Sequence, residues 1–150
     1  MPTVSIPGTS ESSIVGTGAP VLPNIEPSIA GKRCLVLDDE FLIALDIQQI
    51  LEAAGAASVK CFGTSAECLA ALNAGEKFDL AVLDFKLNDG ARNSFSVAAL
   101  LSRQGTPFVF VTGMTQKDVR SAEFPDAPLV EKPYDVSLLL DAVRRALAPR

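Results

Sequence analysis

Phe78-Asp79-Leu80-Ala81-Val82-Leu83-Asp84 is a short, almost wholly apolar run that stops at a carboxylate. Asp79 apart, its composition suits a strand buried on both faces, as in a parallel sheet covered by helices. Such a strand delivers its last residue to the carboxyl edge of the sheet, where ligands of open α/β folds bind. An Asp after a strand also serves ordinary turns, so Asp84 alone decides nothing. Three further apolar runs that end in polar residues of complementary chemistry decide it.

Upstream, Cys34-Leu35-Val36-Leu37 ends at Asp38-Asp39-Glu40. Phe41, Leu42, Ala44, Leu45, Ile47, Ile50, Leu51 and Ala54 then recur at helical spacing as far as Gly55. Asp39 and Glu40 at that helix's start suit the macrodipole, but three consecutive acids exceed what capping requires. Two carboxylates ~4 Å apart repel by on the order of 4 kcal/mol at a surface-like dielectric, a cost that a divalent cation would relieve. Residues 57–62 read as a second strand of alternating character, and Thr64 or Ser65 caps a helix through Leu69, Ala70 and Leu72 that Ala74-Gly75 closes.

Downstream, Asp84-Phe85-Lys86-Leu87-Asn88-Asp89-Gly90 is a turn-rich loop, followed by a helix through Val97, Ala98, Leu100 and Leu101. Gly105-Thr106-Pro107 breaks it, and Phe108-Val109-Phe110-Val111 is the fourth strand, ending at Thr112-Gly113. Residues 114–126 hold only Met114, Val119, Ala122 and Phe124 as apolar anchors, so a helix there is short and loosely held. Leu129-Val130 is a fifth, brief strand running into Glu131-Lys132-Pro133. The last helix covers residues 136–148, with Leu138, Leu139, Ala142, Val143, Ala146 and Leu147 on its apolar face.

Five strands alternating with five helices mean an α/β, doubly wound, five-stranded parallel sheet. With strand order 2-1-3-4-5, the first and third strands flank the topological switch point. Asp38, Asp39, Asp84, Thr112 and Lys132 then gather at one edge. Carboxylates plus a backbone carbonyl from the Asp84 loop suit Mg²⁺. An Asp84 oxygen can attack a phosphoryl group where the metal and Lys132 neutralise the developing charge, and Thr112 offers a hydroxyl to a phosphoryl oxygen. A lysine is ordinarily a solvated surface residue; Pro133 directly after it, at a strand end, marks a tight turn instead.

Composition narrows the alternatives. One domain fits 150 residues, and 48% hydrophobic residues supply a real core. The absence of His excludes His-based zinc sites, His acid–base chemistry and Ser-His-Asp arrangements. A net charge of −5 argues against DNA. Cys34, Cys61 and Cys68 lack CxxC spacing and read as reduced residues of a cytoplasmic protein. No apolar run is long enough to span a membrane. Residues 1–30 hold five of the ten prolines, two acids and no Lys or Arg, and read as a flexible tail with a short extended piece near Ile14-Val15 or Val21-Leu22. The folded domain is expected over residues 31–150.

Asp38-Asp39, Asp84, Thr112 and Lys132-Pro133, in this order and approximate spacing, resemble the receiver domain of two-component response regulators. The likeness spans about residues 32–148 and implies the flavodoxin-like receiver fold. It implies Asp84 as phosphoacceptor, Asp38 and Asp39 as the acidic metal pair, and the carbonyl of Lys86 as a backbone ligand to Mg²⁺. It further implies Thr112 as the switch hydroxyl and Lys132 as the phosphate-pairing lysine before a cis proline. The implied reaction is transfer of a phosphoryl group to Asp84 from a phosphohistidine in a sensor histidine kinase or a histidine phosphotransfer protein. A protein of this kind is not an enzyme; it promotes only its own phosphorylation and dephosphorylation. The sequence stops just past the last helix, so a single-domain receiver whose output is binding to other regulator proteins is expected.

Pro107-Phe108-Val109-Phe110-Val111-Thr112-Gly113 is similar to the fourth-strand signature of the FATGUY subset of receivers, often paired with kinases of the HWE or HisKA2 class. Met114 departs from that pattern, and Leu129 stands where ordinary receivers carry a switch aromatic. Phosphorylation is therefore expected to order residues 113–126 around Thr112 rather than rotate a ring. Lys86 is placed to screen an acyl phosphate from water. Two other readings stay open: a phosphate sink or relay draining a kinase, and a Mg²⁺-dependent phosphohydrolase. The second lacks the acid that such phosphatases carry two residues past the nucleophile, where Lys86 stands.

Overall fold

A computed structural model describes residues 26–85, 93–113 and 124–148. The elements in chain order are β1 (Arg33–Leu37), α1 (Phe41–Ala53), β2 (Ser58–Phe62), α2 (Ser65–Asn73), β3 (Leu80–Asp84), α3 (Asn93–Arg103), β4 (Phe108–Thr112), β5 (Leu129–Glu131) and α4 (Val136–Leu147). The strands form one all-parallel sheet in the order β2-β1-β3-β4-β5. The expected doubly wound α/β architecture, order 2-1-3-4-5, is the one observed. The helix expected between β4 and β5 falls on residues 114–123, outside the described residues.

Alternation along the strands builds two cores. Side chains of successive strand residues point to opposite faces. Cys34 and Val36 of β1, Leu80 and Val82 of β3, and Val109 and Val111 of β4 therefore pack on one face, against Ala44, Ile47 and Leu51 of α1 and Leu139, Ala142 and Val143 of α4. Leu35 and Leu37, Ala81 and Leu83, and Phe108 and Phe110 pack on the other, against Cys68 and Leu72 of α2 and Val97, Ala98 and Leu101 of α3. Every residue of β3 and β4 is buried, which is why those strands read as unbroken apolar runs. The edge strand β2 buries only Phe62.

The helix boundaries follow local chemistry. Thr64 caps α2, its hydroxyl oxygen accepting from the Glu67 backbone N–H at 3.2 Å. Asp135 caps α4, accepting from the Leu138 N–H at 2.8 Å. Gly55 follows α1 at φ +110°, a left-handed conformation that glycine adopts without a Cβ clash.

The folded body reaches back further than composition alone indicates. Ile29 is fully buried among the residues of α1 and α4. The Glu26 N–H donates to the Ala54 carbonyl at 2.9 Å, and its carboxylate pairs with Arg144 at 3.2 Å. Residues 26–30, assigned above to the tail, thus belong to the packed domain: one buried isoleucine outweighs the polar composition around it. Phe41, Leu42 and Leu138 also differ from their expected place on buried helix faces. They are 76%, 76% and 55% exposed, because no element among the described residues covers them in the first turns of α1 and α4. No helix among the described residues is long and apolar enough to cross a membrane.

Candidate functional site

Strand register brings the polar residues together. Leu37 stands beside Leu83, so Asp38 follows its strand next to Asp84. Asp84 pairs with Val111, which carries Thr112 one step further along the same edge. Thr112 in turn pairs with Glu131, and the Lys132 N–H donates to the Thr112 carbonyl at 2.7 Å. The Lys132–Pro133 peptide is cis.

Asp38, Asp84 and Thr112 are buried, at 3%, 6% and 1% exposure. Lys132 reaches into this pocket. Its Nζ lies 3.5 Å from Asp38 Oδ2, 3.6 Å from Asp84 Oδ1 and 3.8 Å from Glu40 Oε1. Carboxylate oxygens of Asp38, Asp39 and Asp84 all lie within 4.8 Å of one another, close enough to share one ion. Asp38 Oδ1 accepts the Glu40 N–H at 2.8 Å, whereas Oδ2 is buried and accepts no hydrogen bond, its lysine contact being an ion pair only. Burial pushes the Asp38 carboxyl above its ordinary range, against the opposing pull of the Glu40 N–H and Lys132.

Neither Asp38 nor Glu40 caps α1 with its side chain in the ordinary way. Glu40 stands at the N-cap of α1 in an extended conformation, but its side chain makes no capping hydrogen bond. Asp38 instead closes a turn onto the Glu40 N–H and leaves its second oxygen facing Lys132. Of the residues singled out from the sequence, Asp38, Asp39, Asp84 and Lys132 converge directly, and register brings Thr112 to the same edge. Lys86 lies outside the described residues.

The structure adds partners that spacing did not reveal. The fully buried Ser94, at the start of α3, donates its hydroxyl to the Phe85 carbonyl at 2.6 Å and so fixes the backbone just after Asp84. The Phe85 ring stands edge-on to Phe95 and Phe110, with centroids 5.2 and 5.6 Å apart, and both of those rings contact Phe124. The Tyr134 hydroxyl donates to Asp46 at 3.5 Å, tying the turn after Pro133 to α1. Burial raises that phenol to about 12. A serine opening a helix and a phenylalanine after a strand are each too common to have flagged these roles.

Comparison with solved structures places this geometry. A response regulator receiver domain protein (CheY-like) from Methanospirillum hungatei is 31% identical, with a TM-score of 0.66; the match covers 79% of this chain and 94% of that one. SdrG from Pseudomonas melonis, solved in its BeF3-activated conformation, is 33% identical with a TM-score of 0.65, over 77% of this chain and 96% of SdrG. The chain belongs to the response regulator receiver family. It is a receiver domain of two-component signalling, and the solved receivers it resembles are signalling regulators. Among curated proteins it is similar to the phyllosphere-induced regulator PhyR of Methylorubrum extorquens, 25% identical over 113 residues, 75% of this chain and 42% of PhyR. The receiver spans about half the length of the curated relatives it matches. No family model matches the sequence.

Proposed function

We propose that this receiver accepts a phosphoryl group on Asp84 from a phosphohistidine donor and signals through protein–protein binding. One observation carries the reading: a single lysine ammonium bridges carboxylates at the ends of two adjacent strands, 3.5 and 3.6 Å away, at the mouth of the sheet. In the transfer a P–O bond forms to an Asp84 oxygen and the P–N bond breaks, its electron pair returning to the imidazole. Lys132 offsets charge on the phosphoryl oxygens, and the Thr112 hydroxyl donates to one of them.

The donor set fits a hard divalent cation. It is all oxygen, it carries more negative charge than one lysine balances, and it includes a buried Asp38 oxygen that accepts no hydrogen bond. Asp38, Asp39 and Asp84, with the Lys86 carbonyl, would hold Mg²⁺. Bound there, Mg²⁺ supplies positive charge to the transferring group.

The donor docks at the same edge. Among the described residues, the exposed large hydrophobics are Phe41, Leu42, Val136 and Leu138, all in the first turns of α1 and α4 flanking Lys132 and the acids. The FATGUY-like fourth strand supports a sensor kinase of the HWE or HisKA2 class as that donor. Three free cysteines fit a cytoplasmic setting. Intact mass after incubation with acetyl phosphate and Mg²⁺, beside Asp84→Asn, tests the reading. One added phosphoryl group in the parent alone is the expected result. Its absence even with a phosphorylated kinase of that class refutes the proposal.

A further inference from the structure

At the edge of the sheet opposite the acids, the start of β4, the turn before β5 and the last turn of α4 enclose a groove of about 760 Å³. Pro107, Phe108, Phe124 and Pro125, with Ala146 and Leu147 of α4, are among the residues that line it. Phosphoryl transfer at Asp84 makes no use of it. A concave surface walled by aromatic rings and prolines suits an extended, proline-containing strand of chain.

We propose that this groove is occupied by the receiver's own segment Pro20-Val21-Leu22-Pro23-Asn24-Ile25, which lies outside the described residues. Three observations point to this occupant. The first is position. The chain enters the folded body at Glu26, which is pinned to the Ala54 carbonyl and to Arg144, the residue just before the groove-lining stretch of α4. The second is reach. Arg144, which holds Glu26, and the groove-lining residues 145–148 belong to the same helix end, about 10 Å wide with its side chains, and six extended residues span at most about 20 Å.

The third is chemistry. Residues 12–25 contain no charged side chain, and Val21, Leu22 and Ile25 are strongly apolar. Pro20 and Pro23, three residues apart, preset φ for polyproline II, which repeats every three residues and needs no internal hydrogen bonds. A segment of this kind lays apolar side chains along a groove without leaving a strand edge to satisfy. Docking it covers Phe124 and Leu147, both partly exposed, and it adds no charge to a groove whose rim already carries Asp126 and Arg145.

The test is a positional cross-link in the full chain. Leu22→Cys is combined with Ala148→Cys at the groove rim, in a Cys61→Ser background that leaves only the buried Cys34 and Cys68 besides. Under mild oxidation of a dilute sample, an intramolecular disulfide is expected as the major product, and Thr9→Cys with Ala148→Cys gives far less. Equal yields from the two pairs, or no cross-link, overturn the proposal. So does a predominantly intermolecular disulfide, which assigns the groove to a second copy. As a second readout, Leu22→Asp is expected to shift the amide resonances of Gly105, Ala127 and Ala148 while leaving Val36 and Val82 unmoved. Groove resonances indifferent to Leu22→Asp equally overturn it. Neither readout depends on phosphorylation.

Discussion

Lys132 Nζ lies 3.5 Å from Asp38 Oδ2 and only 3.6 Å from Asp84 Oδ1, so one ammonium bridges two carboxylates that would otherwise repel each other across neighbouring strands. Its side chain is only 19% exposed, so solvent screens these contacts incompletely. Removing it as Lys132→Met takes away the cation that pairs with both Asp38 and Asp84. In the presence of a chelator the variant should lose about 1–3 kcal/mol of stability, measured by urea unfolding. Added Mg²⁺ should recover much of the loss.

Asp38→Asn is expected to act in the opposite direction. Asn keeps an oxygen for the Glu40 N–H while removing a charge that burial disfavours. A carboxyl whose folded pKa is raised contributes stability that is present below the unfolded value and lost as pH rises through the folded one. The neutral variant should therefore melt above the parent in chelator and lose the parent's stabilisation by Mg²⁺. Calorimetry with and without the metal distinguishes the two.

Ser94→Ala deletes a fully buried hydroxyl and the hydrogen bond it donates to the Phe85 carbonyl. A cost of about 1–2 kcal/mol is expected. Because that carbonyl belongs to the residue next to Asp84, amide exchange at Phe85 should rise by more than the global change in stability accounts for. Equal changes throughout the sheet would contradict a local role.

Thiol chemistry separates the cysteines. Burial pushes Cys34 and Cys68 to about 12, whereas Cys61 is exposed on the edge strand and raised less, by partial burial and then by Glu52. At pH 8 a thiol reagent should modify Cys61 rapidly and the other two only after denaturation. Peptide mapping of the labelled chain reads this directly.

Acid should loosen the two ends of α4 together. The Leu138 N–H holds Asp135 below the usual 3.8, and the Arg144 side chain holds Glu26 below the usual 4.5. For groups with depressed pKa, the stabilisation is present above the unfolded values and is lost as pH falls through the lowered ones. The deficits of Asp135→Asn and Glu26→Gln should thus be visible at pH 7 and vanish once pH falls below the lowered values. A pH series of unfolding midpoints checks this.

The architecture was readable because β1, β3 and β4 are buried on both faces, which makes each a continuous apolar run ended by a polar residue. The order of those polar ends was enough to bring Asp38, Asp84, Thr112 and Lys132 to one edge. Helical periodicity, by contrast, counts apolar residues without knowing which of them a neighbouring element covers, so it placed Phe41, Leu42 and Leu138 inside. Ile29 was hidden by Pro27 and Ser28 around it, and its anchor, Glu26 with Arg144, joins residues 118 positions apart. The Ser94 contact and the rings around Phe85 depend on how α3 and β4 pack on β3, which no local pattern encodes.

The buried Asp38 oxygen that accepts no hydrogen bond also bears on the chain's evolutionary freedom. Stability and the phosphoryl chemistry we propose make opposite demands at that atom, whereas at Leu35 or Val82 they make the same one. A lineage released from phosphotransfer would gain by drifting to a neutral residue at position 38 long before its core could tolerate change. The acidic pocket is therefore where loss of signalling would be recorded first, as a substitution that makes the protein sturdier.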